Sequence, residues 1–144
     1  MKNEYALILE QLNSLRKFRR KILDGINASL KDINFSEFYV LNKICREANE
    51  QTMSNLSDST GLSNALITSS VDSLEKLKLV KRKRGPDRRS YVVKLTSKGE
   101  EKCKEMEKIK NRSIESIFRN MTNDDLSELR ETLRKLNVLL DKYA

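Results

Sequence analysis

The sequence predicts a mainly α-helical chain carrying one small β-hairpin. Three observations carry this reading. Apolar residues recur at helical spacing through most of the 144 positions. One stretch, residues 79–96, alternates in the manner of strands around Gly85-Pro86-Asp87. With one Pro and four Gly in the chain, little interrupts the helices.

Each element follows in order. Ile8, Leu12, Leu15, Ile22 and Ile26 keep heptad-like spacing and predict a helix over residues 4–30. Phe18 sits beside the gap at Arg19, and Gly25 weakens the helix locally. Ser36 is the expected N-cap of a second helix, with Phe38, Leu41, Cys45 and Ala48 facing inward. Polar residues 49–52 break that pattern. A short helix over residues 53–60 stops at Gly61, where a left-handed turn is easiest for glycine. Ser63 then caps a longer helix reaching residue 77 or 78, with Ile67, Val71, Leu74 and Leu77 inward. Residues 79–84 and 90–96 are the two strands, and Tyr91, Val93 and Leu95 alternate on one face. Thr96 caps a helix running to about residue 121. Thr122 caps the last one, with Asp125 as its capping-box acid. There Leu126, Leu129, Leu133, Leu136, Leu140 and Tyr143 form the most regular apolar stripe in the chain. The two terminal stripes point to an intertwined dimer, with packing inside one chain as the competing explanation for either alone.

Charge is concentrated rather than spread. The chain carries 29 Lys and Arg against 21 Asp and Glu, a net of +8. Residues 76–98 hold ten basic residues against the single acid Asp87, a net of +9, so the remainder is almost neutral. A basic block on a neutral body points to a polyanion, bound by phosphate neutralisation and counterion release. A solvated strand pair kept for solubility is the alternative. A second cluster, Arg16, Lys17, Arg19, Arg20 and Lys21, reads as a solvated helix face or as a phosphate contact.

Composition also excludes. There is no His, hence no imidazole-based catalysis, His-bearing metal site or His proton switch. No Gly-rich phosphate loop or metal-ligand cluster appears, so no enzyme, metal or cofactor is expected. Cys45 and Cys103 lie far apart on apolar helical faces and read as reduced, buried packing thiols. No targeting segment or membrane span is visible, and a cytoplasmic protein is expected.

A short helix, a glycine-containing turn and a second helix make a helix-turn-helix, which Leu56, Leu62 and Ile67 would hold together. The basic hairpin directly downstream makes it a winged helix. Val71-Asp72-Ser73-Leu74-Glu75-Lys76, Leu79-Val80 and Asp87-Arg88-Arg89 follow, then five residues and Leu95-Thr96-Ser97-Lys98-Gly99. In these features the sequence resembles the MarR family of transcription regulators. The match in residues is strongest over 56–99.

The resemblance implies an obligate homodimer on double-stranded DNA. Residues 1–33 would be an N-terminal dimerisation helix, 34–99 the winged helix-turn-helix, and 100–144 the C-terminal dimerisation helices. Ile8, Leu12, Leu15, Leu129, Leu133, Leu136 and Leu140 would face the second copy. The wing, with Arg82, Arg84, Asp87, Arg88 and Arg89, would enter a minor groove. Arg89 is its tip, Asp87 would hold Arg89 by an ion pair, and Arg88 would meet phosphate. A turn-forming Asp after Pro86 is the parallel reading of Asp87.

Geometry adds the major-groove candidates Ser63, Asn64, Ala65, Thr68 and Ser69, in the first two turns of the second helix. Two positions depart from the family: Ser69 where many relatives have Arg, and Lys78 where many have Gly. Relatives often bind a small aromatic or phenolic effector, for which Phe35, Phe38 and Tyr39 are the lining candidates, with plain core packing as the alternative. The leading function is a sequence-specific repressor on a pseudo-palindromic operator. An architectural protein without strong sequence preference is the alternative.

Overall fold

The structure, a computed structural model, describes residues 2–47, 50–87 and 89–143. The order of elements is α1 (Lys2–Ser29), α2 (Phe35–Arg46), β1 (Gln51–Thr52), α3 (Met53–Thr60), α4 (Asn64–Lys76), β2 (Val80–Arg84), β3 (Tyr91–Leu95), α5 (Ser97–Phe118) and α6 (Asn123–Tyr143). This is the expected mainly helical chain with a hairpin wing.

The helices begin where side chains can satisfy the first free N–H groups. Thr52, Ser63 and Thr96 accept from the backbone three residues on, capping α3, α4 and α5. Thr122 and Asp125 form the expected reciprocal pair at the start of α6. Helix α2 corrects the reading of Ser36. Its cap is Asn34, which accepts from the Glu37 N–H at 2.9 Å while Glu37 accepts from the Asn34 N–H at 2.8 Å. Asn and Ser cap equally well, but only Asn34 has Glu three residues on. Ser36 lies inside the helix, and Ala48 falls outside the described residues.

The hairpin contains a surprise. Gln51 and Thr52, read as a polar break, form a third strand paired antiparallel to β3, with Gln51 opposite Val93 and Thr52 opposite Val92. The strand order is β1-β3-β2. Tyr91, Val93 and Leu95 share a face of β3, but that alternation does not set the strand's burial. Val92 and Val93 are both buried, while Tyr91, beyond the body of the domain, is 47 % exposed.

The core lies between α2, α3, α4 and the base of the sheet. Phe38, Val40, Leu41, Ile44, Leu56, Ile67, Val71, Leu74, Leu79, Val80 and Val93 are buried together. Ile26 and Leu30 bring the end of α1 into it, and Met106 brings α5.

Helix α4 ends in a left-handed turn. The Leu79 N–H reaches the Leu74 carbonyl at 3.0 Å and the Lys78 N–H reaches the Glu75 carbonyl at 2.9 Å. Lys78 occupies the left-handed position at φ 62°. Glycine would adopt that conformation for about 1 kcal/mol less.

Helix α5 is fastened along one side. Lys98 Nζ donates to the Leu77 carbonyl at 3.1 Å, and Lys110 Nζ to Asn42 Oδ1 at 3.1 Å. Lys102, only 8 % exposed, donates to Asp32 at 2.8 Å and to Glu105 at 3.0 Å. Between these points Cys45 and Cys103 are joined in a disulfide, with Cα atoms 5.7 Å apart. This overturns the expectation of separate thiols. Distance along the chain said nothing about distance in space, and α5 doubles back along α2. The bond closes a loop of 58 positions in sequence. Loops of this length restrict the unfolded chain strongly.

Two predictions follow from these fastenings. Replacing both cysteines by Ala should lower stability by about 2–4 kcal/mol, read by denaturant unfolding at fixed protein concentration. The unreduced wild-type protein, denatured, should take up no alkylating reagent at either cysteine.

Burial works against the charge of Lys102, but its hydrogen bonds to Asp32 and Glu105 outweigh that and raise its pKa. The hydrogen bond from Lys102 in turn lowers the pKa of Asp32. A lowered carboxyl pKa stabilises above the ordinary carboxylate range, and that contribution is lost as pH falls through the folded value, below about pH 4. Lys102→Ala should therefore cost about 1–2 kcal/mol at pH 7. It should also show a smaller further loss between pH 5 and pH 3 than the wild type, measured by urea unfolding at each pH.

Candidate nucleic-acid interface

Two elements carry the chemistry singled out in the sequence: the first turns of α4 and the β2–β3 hairpin. The turn at Gly61 sets the angle between α3 and α4. Gly61 is left-handed at φ 70°, and its N–H returns to the Ser57 carbonyl at 3.0 Å. Leu56 and Ile67 meet in the core beneath the turn, with Leu62 half-buried against it. Once Ile67, Ser70, Val71 and Leu74 face inward, helical geometry puts Ser63, Asn64, Ala65, Thr68 and Ser69 outward, and all five are exposed. Leu66, which the sequence reading passed over, is exposed with them. The Ser69 hydroxyl is turned back on the helix and donates to the Leu66 carbonyl at 3.2 Å.

The hairpin is built against its own electrostatic interest. Lys81 and Lys94 are direct cross-strand partners, and both are exposed. Like charges placed opposite each other destabilise a strand pair. A hairpin selected only for stability or solubility would avoid this, so the charge favours the polyanion reading. Two of its cations are paired: Lys83 with Glu50 and Arg82 with Asp72.

The Arg82 pairing changes the role expected for that residue. Its guanidinium donates to Asp72, and it lies 3.5 Å from the Thr68 carbonyl, while its backbone N–H donates to Glu75 at 3.0 Å. Arg82 thus ties the wing to α4. Asp72 and Glu75, three positions apart on one helix face, were a clue legible in advance, but the strand residue they meet was not. Arg84 lies against the Tyr91 ring, its guanidinium carbon 5.9 Å from the centroid.

At the tip, Gly85 N–H donates to the Ser90 carbonyl at 2.9 Å and closes the turn. Asp87 accepts the backbone N–H of Arg89 at 3.1 Å. The contact shown is thus to the main chain of Arg89, as a turn-forming Asp makes. The Arg89 side chain is exposed, and Arg88 falls outside the described residues.

The base of the wing is tightly knit. The Thr96 N–H donates to the Leu79 carbonyl at 3.0 Å, and the Thr96 hydroxyl donates to the Lys78 carbonyl at 2.6 Å. The same hydroxyl oxygen accepts from Gly99 N–H at 3.0 Å. A Cβ on Gly99 would lie 2.0 Å from the Leu79 carbonyl oxygen, so only glycine fits there.

A family model described as the MarR family matches residues 31–90. Apo wild-type MarR from E. coli matches the fold with a TM-score of 0.76 at 25% identity, over 89% of this chain and 95% of that one. Residues 31–90 thus match the MarR family, and the fold over most of the chain is that of MarR itself. The transcriptional regulator BldR from Sulfolobus solfataricus matches with a TM-score of 0.75 at 25% identity, covering 93% of this chain and 94% of BldR. BpsR from Bordetella bronchiseptica, whose DNA binding is regulated by 6-hydroxynicotinic acid, matches at 0.68 and 20% identity, covering 88% and 98%. No curated protein matches in sequence. In this chain the L-T-x-x-G pattern has a physical cause: its Thr and Gly close the junction of wing, α4 and α5. Among the described residues no helix is long and apolar enough to cross a membrane.

The remaining candidates lie away from the wing. Phe35 and Tyr39 pack with ring centroids 4.8 Å apart and planes tilted by 59°, and line a crevice of about 480 Å³ together with Arg16, Arg19, Arg20, Asp24 and Asn27. Phe38 does not line it; it is a core residue, 2 % exposed. Ile8, Leu12 and Leu15 are exposed on α1, as are Leu133 and Leu140 on α6, while Leu129 and Leu136 are half-buried.

Arg82→Ala should weaken DNA binding several-fold although the side chain is turned to α4, because the wing loses its tie to that helix. The loss should be largely restored by Lys, which can still pair with Asp72. Equal binding by the Ala variant in a fluorescence anisotropy titration would contradict this role.

Proposed function

We propose that this chain is a MarR-family DNA-binding regulator that acts as a homodimer on a pseudo-palindromic operator, each copy placing α4 in a major groove and its hairpin in the flanking minor groove. The observation that carries the reading is the basic segment 76–98, which holds the chain's whole charge excess and whose hairpin is bonded through Arg82 to the outward-facing helix α4. Arg at a thin hairpin tip suits a narrow, electronegative minor groove. We assign that insertion to Arg89, with Arg84 behind it and Asp87 shaping the turn. Residues 34–99 do the reading in this account, and the helices on either side do the pairing.

The two-copy reading is supported by the ends of the chain. Among its described residues α6 has no buried position in 21 residues. An isolated helix of that kind is marginal in water. Its stripe, with that of α1, needs cover from a second copy. A dimer presents its two helices about one duplex turn apart, roughly 34–36 Å. Straddling the DNA in this way serves repression by occlusion.

The crevice between α1 and α2 is the proposed effector site. Its arginines and paired aromatic rings suit a small aromatic acid. The ligand-regulated relative BpsR supports such a mode.

Arg89→Ala should weaken operator binding roughly ten-fold and lower the slope of log affinity against log salt by about one. Both are read from anisotropy titrations between 50 and 200 mM salt, about the range over which counterion release is visible. Wild-type affinity in the variant would remove the wing from the account.

A further inference from the structure

We infer that the recognition helix reads A·T base pairs, chiefly through contact of Leu66 with a thymine methyl group, and that Leu66 is a specificity-determining residue. The inference rests on the placement of α4 in the major groove proposed above.

The first support is what the outward face of α4 lacks. From Ser63 to Leu74 there is no Arg, Lys, Gln or Glu. Guanine is read in the major groove chiefly by Arg or Lys donating to its O6 and N7, and cytosine by a carboxylate accepting from its amine. The one carboxylate in this stretch, Asp72, is held by Arg82. The Ser69 hydroxyl has its proton committed to the Leu66 carbonyl. The chemistry for direct readout of a G·C pair is therefore thin.

The second support is what the face offers instead. Asn64, in the first turn, carries the one amide able to pair with adenine N6 and N7. Beside it stand the methyl of Ala65 and the isobutyl group of Leu66, which is 44 % exposed. Ile67, the next residue, is fully in the core, so the helix had an inward face for its apolar residues and Leu66 is not on it. The hairpin tied to the same helix is strongly cationic, so the surface as a whole suits a polyanion rather than an apolar protein. On that polyanion the apolar feature at the edge of a base in the major groove is the C5 methyl of thymine. Leu66 matches it, with the Ala65 methyl on the adjoining outward face and the Thr68 methyl on the opposite flank of the helix. Stronger wing contacts with phosphate would supply affinity, and methyl contacts would supply the sequence preference.

The test uses the wild-type protein first. Random-sequence selection yields the preferred duplex, and each thymine of its half-sites is then replaced in turn by deoxyuridine, which removes only the methyl. Affinity should fall about four-fold at one or two positions per half-site, the worth of one buried methyl. Leu66→Ala should bind the thymine duplex more weakly and be indifferent to the same replacement. Arg89→Ala should retain the full deoxyuridine penalty. A selected duplex whose half-site core is G·C would overturn the inference while leaving the operator reading intact. So would deoxyuridine without effect at every position, or a Leu66→Ala protein that keeps the penalty. Selection that enriches no sequence would overturn the operator reading and this inference together.

Discussion

The close approach of Gly99 to the Leu79 carbonyl is the constraint on which the rest of this structure depends. At that point the end of the recognition helix, both strands of the wing and the start of α5 occupy one small volume. A side chain on residue 99 has no room, since its Cβ would stand 2.0 Å from the carbonyl oxygen. Thr96 then completes the junction from a single side chain, bonding the α4–β2 turn on one side and the α5 N-terminus on the other. The wing is held at its base by this node and along its length by the bonds from Arg82 to α4. Helix and hairpin therefore move as one body, which is what a protein needs if it is to present two surfaces to two grooves.

Helix α5 extends that rigidity outward. Its contacts to Leu77, Asp32, Cys45 and Asn42 come from Lys98, Lys102, Cys103 and Lys110, along one side of the helix. The winged helix is thereby fastened to the elements that carry the uncovered apolar stripes. In a dimer, the angle between the two reading heads would follow from how α5 is seated on α2. The crevice lined by Arg16, Arg19, Phe35 and Tyr39 sits between α1 and α2. A molecule bound there would press on the same seating, and so on the spacing of the two heads.

Much of the fold was legible in the sequence because its signals are local. Thr52, Ser63, Thr96 and Gly61 act within one helical turn, and the short helix at residues 53–60 appears with the bounds its composition suggested. The basic hairpin was equally plain, because charge and turn residues are compositional. What was not legible depends on contacts distant in sequence. β1 is two polar residues long and exists because β3 offers it an edge. The disulfide joins positions 45 and 103 only because α5 folds back along α2. The same limit applies at the interface. The outward placement of Asn64, Ala65, Thr68 and Ser69 follows from helical periodicity, but the turn of Arg82 away from solvent needed a partner ten residues earlier. The exposure of Leu66 was not legible because it depends on which face of α4 the core covers.

The central claim is that α4 and the hairpin read DNA as one unit, twice, from a two-fold assembly. Hydroxyl-radical footprinting on a bound fragment tests it most directly, because it reports where the backbone is covered on both grooves. Two symmetric protected sets are expected about one helical turn apart on one face of the duplex, each with an outer minor-groove patch. A single isolated patch, or even protection along the fragment, would contradict it.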